Sequence, residues 1–99
     1  MTDADEPASD PIARTVVVRL PEGLHVRPCS LIAKLAAGIP DRIRLTVGDE
    51  SADAASMFDL MALGAAPGTE IVVSGDAEVA ETIDRIVSLF ERDFADDAA

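Results

Sequence analysis

The only histidine of the chain, His25, lies two residues after Gly23 and two before Arg27, with Pro28 next, where a β-branched run has ended and a helical pattern begins. Neutral imidazole carries a nucleophilic nitrogen at physiological pH, so it can accept a phosphoryl group and later give it up. The start of a helix suits such an anion: its free amides and dipole together favour negative charge by about 0.3–1 kcal/mol at an exposed site. Arg27 can add charge-assisted hydrogen bonds to phosphate oxygens. Gly23 allows close backbone approach, and Pro28 lacks an amide hydrogen that the first turn would leave unpaired. A lone histidine here also reads as a helix cap or an ordinary surface residue. Cys29, four residues on and able to share the helix face, raises thiolate or metal chemistry. Two ligands make no metal site and a thiolate would repel phosphate, so Cys29 is expected to pack. No metal or other cofactor is expected.

The elements that must position these residues follow from apolar spacing. Residues 1–13 are expected to form a disordered acidic arm and 95–99 a disordered acidic tail, with one domain over 14–94. A first strand is expected over Arg14 to Leu20, with Val16, Val18 and Leu20 on one face. Pro21, Glu22 and Gly23 break it, and Leu31, Ile32, Leu35 and Ala36 then recur as a helix over about His25 to Ala37. Arg42 to Val47 reads as a strand, Gly48 to Glu50 as a turn, and Ser51 to Ala54 as a short third strand. Ala55 to Leu63 should be a short helix, with Phe58 and Leu60 inward and Met57 and Met61 outward. Thr69 to Ser74 reads as a fourth strand closed by a turn at Gly75 and Asp76. The last helix places Val79, Ile83, Ile86, Val87, Phe90 and Phe94 on one stripe and Glu81, Asp84, Arg85 and Glu91 opposite. The order βαββαβα calls for an α+β, two-layer, open-faced β-sandwich: a four-stranded antiparallel sheet covered on one face by three helices.

Composition bounds the function. At 99 residues and 48% apolar content the chain holds one small domain, better suited to a surface site than a deep cavity. The formal charge of -11, from 8 basic and 19 acidic residues, disfavours nucleic acid and anionic lipid. With four acids in the first ten residues and two in the last five set aside, 13 acids face 8 bases, a balance of -5 for the remainder. A single cysteine excludes an intrachain disulfide. The absence of a leader and of any apolar run near the ~20 residues of a membrane helix points to a cytoplasmic protein without direct membrane insertion. A monomer is expected.

The segment Gly23, Leu24, His25, Val26, Arg27, Pro28 resembles the active-site segment of HPr, the histidine-containing phosphocarrier family of the bacterial phosphoenolpyruvate sugar phosphotransferase system. Ser51 to Phe58, with Leu63, Gly64 and then Gly68, Thr69, resembles that family's second-helix region and following turn. The resemblance runs from about Arg14 to Phe94 and implies the open-faced sandwich. It also implies that His25 is phosphorylated on Nδ1 by a phosphoenolpyruvate-dependent first enzyme and donates to a sugar-specific acceptor component, with Arg27 holding the phosphate. The chain is then a covalently phosphorylated carrier rather than an enzyme. Ser56 matches the position that a regulatory serine kinase phosphorylates in part of the family, although serine is also a preferred helix cap. Gly23, Leu24, Pro28, Lys34, Met57 and Met61 are implied as the partner-binding surface. Relatives often carry lysines where Ala55 and Asp59 stand, so the docking face is more acidic here and co-adapted partners are expected. A regulatory binding module acting through Ser56 and the Met57, Met61 surface is the alternative.

Overall fold

The computed structural model describes residues 10–95; residues 1–9 of the arm expected over 1–13 and residues 96–99 of the tail expected over 95–99 lie outside them. Four strands, β1 (Pro11–Val17), β2 (Ile43–Val47), β3 (Glu50–Asp53) and β4 (Glu70–Asp76), alternate with α1 (Val26–Leu35), α2 (Met57–Ala62) and α3 (Ala80–Glu91). They form one antiparallel sheet in the order β1-β4-β2-β3. This is the α+β open-faced sandwich with the expected βαββαβα order. Side chains alternate across the sheet, so the buried Val16, Ile71, Val73, Leu45, Ile43 and Ala52 share the face under the helices. On the other face Thr15 pairs with Val72, Val72 with Thr46 and Thr46 with Ser51, a row of small, mostly hydroxylated residues. The helices close the core with Cys29 and Ile32 from α1, Leu60 from α2, and Ile83, Ile86, Leu89 and Phe90 from α3.

Several boundaries differ from the sequence reading, each for a tertiary reason. β1 begins at Pro11 rather than in the region of Arg14, because Pro11 and Ile12 find partners in Asp76 and Gly75. A proline is tolerated there because it opens an edge strand. β1 leaves the ladder at Val17, yet Val18 stays buried and exchanges backbone bonds with the Gly68, Thr69 turn: Val18 N donates to Thr69 O (2.9 Å) and Gly68 N to Val18 O (2.7 Å). Gly75 and Asp76 are strand, not turn. A Cβ on Gly75 would stand 2.8 Å from Arg42 O and 2.9 Å from Val79 Cγ2, so glycine serves close packing at this point. The chain turns one residue later, where Asp76 accepts from Glu78 N (3.0 Å) and caps a short 3-10 turn over Ala77–Val79.

α3 ends at Glu91, so Phe94 does not continue its stripe as a helical residue. Asp93 (φ 53°) and Phe94 (φ 58°) both adopt the left-handed region and hook the chain back, burying the Phe94 ring edge-on against Phe90 with centroids 4.8 Å apart. Leu89 takes a core place that the stripe had omitted.

Candidate functional site

The loop between β1 and α1 is pinned before it reaches His25. Gly23 N donates to Leu20 O (3.0 Å), closing a turn, and Leu24 N donates to Ala65 O (2.9 Å) in the loop after α2. Gly23 has φ 71°, and a Cβ there would lie 2.5 Å from Ala65 O. Glycine is therefore required twice, for the left-handed backbone and for the approach. Leu24 and Pro28 are buried, and so is Gly23. With little surface exposed, these three shape the loop that presents His25. Ala65, the other half of this junction, carries no sequence signal beyond its place in a run of small residues.

His25 is the N-cap of α1 in its backbone only, extended at φ -107°, ψ -166°, with its carbonyl accepting from Cys29 N (3.1 Å). Its side chain makes no capping bond and is 41% exposed, leaving the imidazole free to meet another molecule. Helix geometry leaves the amides of Val26 and Arg27 without intrahelical acceptors. Pro28, third in the helix, interrupts that set without loss because its nitrogen has no hydrogen to satisfy. Glu22, part of the Pro21–Gly23 break after the first strand, places Oε1 3.7 Å from His25 Nε2.

Arg27 points its Nη2 at the carbonyl of Phe94 (3.0 Å). One backbone acceptor occupies one of five guanidinium hydrogens, so the group keeps donors for an anion. The hook that presents this carbonyl is itself tied down. Phe94 N donates to Leu89 O (2.7 Å), while Arg19 Nε pairs with Asp93 Oδ1 (2.9 Å) and Arg19 Nη2 donates to Glu91 O (3.1 Å). This contact between the start of α1 and the end of the domain spans 67 residues and was invisible in the local pattern.

Ser56 is the N-cap of α2, its Oγ accepting from Asp59 N (3.2 Å). The loop before it is held by Asp53, whose carboxylate accepts from Ala55 N (2.9 Å) and from Asp41 N (3.1 Å). On α2 only Leu60 is buried. Phe58, expected inward, is 80% exposed; a helix of 6 residues offers the core one central position, and Leu60 fills it. Met61 is exposed as expected, whereas Met57 is half-buried against the core. Val26, beside His25, is a further exposed apolar residue. Lys34 is exposed in the last turn of α1, nine residues and ~13 Å of helix beyond His25.

Cys29 is fully buried, and burial pushes its thiol up to about 11, so it stays a neutral packing group at physiological pH. Among the described residues no three His, Cys, Asp or Glu side chains gather as metal ligands. Nor is any described helix long and apolar enough to cross a membrane. Two shallow hollows, one between β1 and α3 beside Arg19 and one between α1 and α3 beside Arg85 and Arg92, are not lined by His25. The chemistry available is thus that of a surface imidazole at a helix start, with a carboxylate on one side and a guanidinium two residues on.

Residues 12–92 match the family model described as the PTS HPr component phosphorylation site. A phosphocarrier protein HPr of Streptomyces coelicolor is 43% identical over 79 residues, covering 77% of this chain and 84% of the relative. A multiphosphoryl transfer protein of Xanthomonas campestris is 40% identical over 57 residues, which are 58% of this chain and 7% of that protein. The crystal structure of HPr-C-His from Thermoanaerobacter tengcongensis superposes with a TM-score of 0.76 at 26% identity, covering 84% of this chain and 94% of that one.

Proposed function

The chain belongs to the HPr family of phosphocarriers of the phosphotransferase system, and from that membership we propose that it carries a phosphoryl group on His25 Nδ1 between two protein partners. The observation that supports this most is the side chain of His25: half-exposed at the first turn of α1 and uncommitted to capping its own helix. The donor is a phosphoenolpyruvate-dependent first enzyme and the acceptor a sugar-specific component of the same system. The protein acts as a cytoplasmic monomer and as a substrate of both partners.

In the transfer, the Nδ1 lone pair attacks phosphorus, the N–P bond forms, and the bond from phosphorus to the donor breaks with its electron pair leaving on the donor. The proton on Nε2 stays, so the ring becomes an N-phosphoryl imidazolium. The Val26 and Arg27 amides and the spare Arg27 hydrogens receive the phosphate oxygens. Delivery to the acceptor reverses the step, with neutral imidazole as leaving group. Exposed Val26, Phe58 and Met61 and half-buried Met57 supply the apolar docking surface, and Lys34 its positive charge. Asp59 beside Phe58 favours partners whose matching face is less acidic, or more basic, than one that meets lysine.

A second, regulatory reading rests on Ser56. Phosphate there would place about -1.5 to -2 charge at the first turn of α2, next to exposed Phe58, and change which partner that face accepts. The carrier reading is tested by incubating wild type and His25→Ala with phosphoenolpyruvate and a first enzyme. Acid-labile phosphate on wild type alone is the expected result; equal labelling of both overturns it.

A further inference from the structure

We propose that Glu22 is a positioning residue for the phosphoryl site, holding the proton of His25 on Nε2 and balancing the charge that the ring acquires when Nδ1 is phosphorylated. This rests on the carrier reading above and adds a residue to it. Glu22 Oε1 lies 3.7 Å from Nε2, three residues before His25 across the turn that Gly23 N closes on Leu20 O and Leu24 N pins to Ala65 O. Because that turn is anchored by two backbone bonds, the backbones of Glu22 and His25 are held beside one another, and the exposed Glu22 side chain starts from within reach of the ring. A small rotation of the exposed Glu22 side chain brings its carboxylate to hydrogen-bond distance of Nε2, where it accepts the ring N–H.

Two consequences follow from imidazole chemistry. A neutral ring has one N–H and one lone pair, so a carboxylate that accepts from Nε2 leaves the lone pair on Nδ1, the nitrogen that must attack. The two ring nitrogens point in diverging directions, so a carboxylate facing Nε2 stands apart from the phosphate that arrives at Nδ1. Once the N–P bond has formed and the donor bond has broken, the proton remains on Nε2 and the ring is cationic. Glu22 then stabilises the phosphorylated state and makes imidazole a slower leaving group toward water. Among the described residues Glu22 faces His25 and forms no ion pair with Arg27, whose Nη2 donates to the Phe94 carbonyl.

Both states can be read in the full-length protein. In the unphosphorylated protein, two-bond 1H–15N correlation spectra report the ratio of Nε2–H to Nδ1–H tautomers. Glu22→Ala is expected to lower that ratio about two- to five-fold, the size of an exposed ion-pair or hydrogen-bond contact, while Glu22→Gln, which keeps an acceptor oxygen, restores it. An unchanged ratio in Glu22→Ala overturns the proposal. In the phosphorylated protein at low salt, compared at a mildly acidic pH at which the ring is protonated in every variant, both variants are expected to lose phosphate to water about two- to five-fold faster than wild type, with the difference shrinking in high salt. Equal lifetimes overturn the charge-balancing role. Failure of the first enzyme to label wild type at His25 would refute the carrier reading, and the tautomer ratio would still decide whether Glu22 orients the ring.

Discussion

Replacing Gly23 by alanine separates two costs that the structure assigns to one residue. A left-handed backbone (φ 71°) costs a residue with a Cβ about 1–2 kcal/mol. The new methyl would stand 2.5 Å from Ala65 O and 3.3 Å from Ala66 Cα, both backbone atoms, so the two loops must part. Parting them breaks the bond from Leu24 N to Ala65 O (2.9 Å), a net loss of about 0.5–1.5 kcal/mol. Gly23→Ala should therefore destabilise by about 1.5–3.5 kcal/mol, a large share of the roughly 5–15 kcal/mol of a typical domain. Gly48→Ala is the control: its φ is 58° and nothing lies within 4 Å of its added Cβ, so it should cost only the conformational part. The entropy that alanine removes from the unfolded chain is common to both variants and cancels in their difference. Urea unfolding with an unchanged slope measures both values. If the two variants differ by less than about 0.5 kcal/mol, the loop carrying His25 is not clamped on Ala65 and the account of how the site is positioned is wrong.

Three further outcomes follow from burial and capping. The raised thiol of Cys29 keeps its proton in the folded state when the unfolded chain has lost it, so its stabilising effect is complete below pH 9.0 and is lost as pH rises toward about 11. At about 1.4 kcal/mol per unit, the loss approaches about 3 kcal/mol; denaturation between pH 8 and 11 should be steeper in wild type than in Cys29→Ala, and parallel curves would contradict it. Leu60→Ala should cost about 2–5 kcal/mol and Phe58→Ala less than about 0.5, judged by melting or urea midpoints, and the reverse order would restore the inward assignment of Phe58. Ser56→Ala should cost about 1 kcal/mol through loss of its bond to Asp59 N, with Ser56→Asn close to wild type; no loss in Ser56→Ala would show that the cap is not made in solution.

What could be read from the residues alone was whatever depended on one face of one element. Val16 and Val18, Ile43 and Leu45, and Ile71 and Val73 alternate because one side of each strand is buried, and Ile83, Ile86 and Phe90 recur because α3 lies on that same side. The position of His25 at a helix start was legible for the same local reason. Features made by two distant segments were not. Gly75 looked like a turn because glycine before aspartate usually is one, whereas here its missing Cβ admits Arg42 O and Val79. Phe94 has the spacing of a helical residue but reaches the core through a left-handed hook, and its carbonyl becomes the partner of Arg27. The apolar spacing of α2 does not by itself choose between Phe58 and Leu60, and a helix this short has room in the core for Leu60 alone. Asp53 and Ala65 hold the neighbouring loops, and Glu22 approaches the His25 ring, through contacts that no periodicity predicts.

Wild-type protein phosphorylated by a phosphoenolpyruvate-dependent first enzyme should show, in 31P and 15N spectra, a single phosphoryl group bonded to Nδ1 of His25. Transfer of that group to an acceptor component should return the ring to its starting signals. Phosphate found on Ser56 or on a carboxylate while His25 keeps its unmodified resonances would contradict the account.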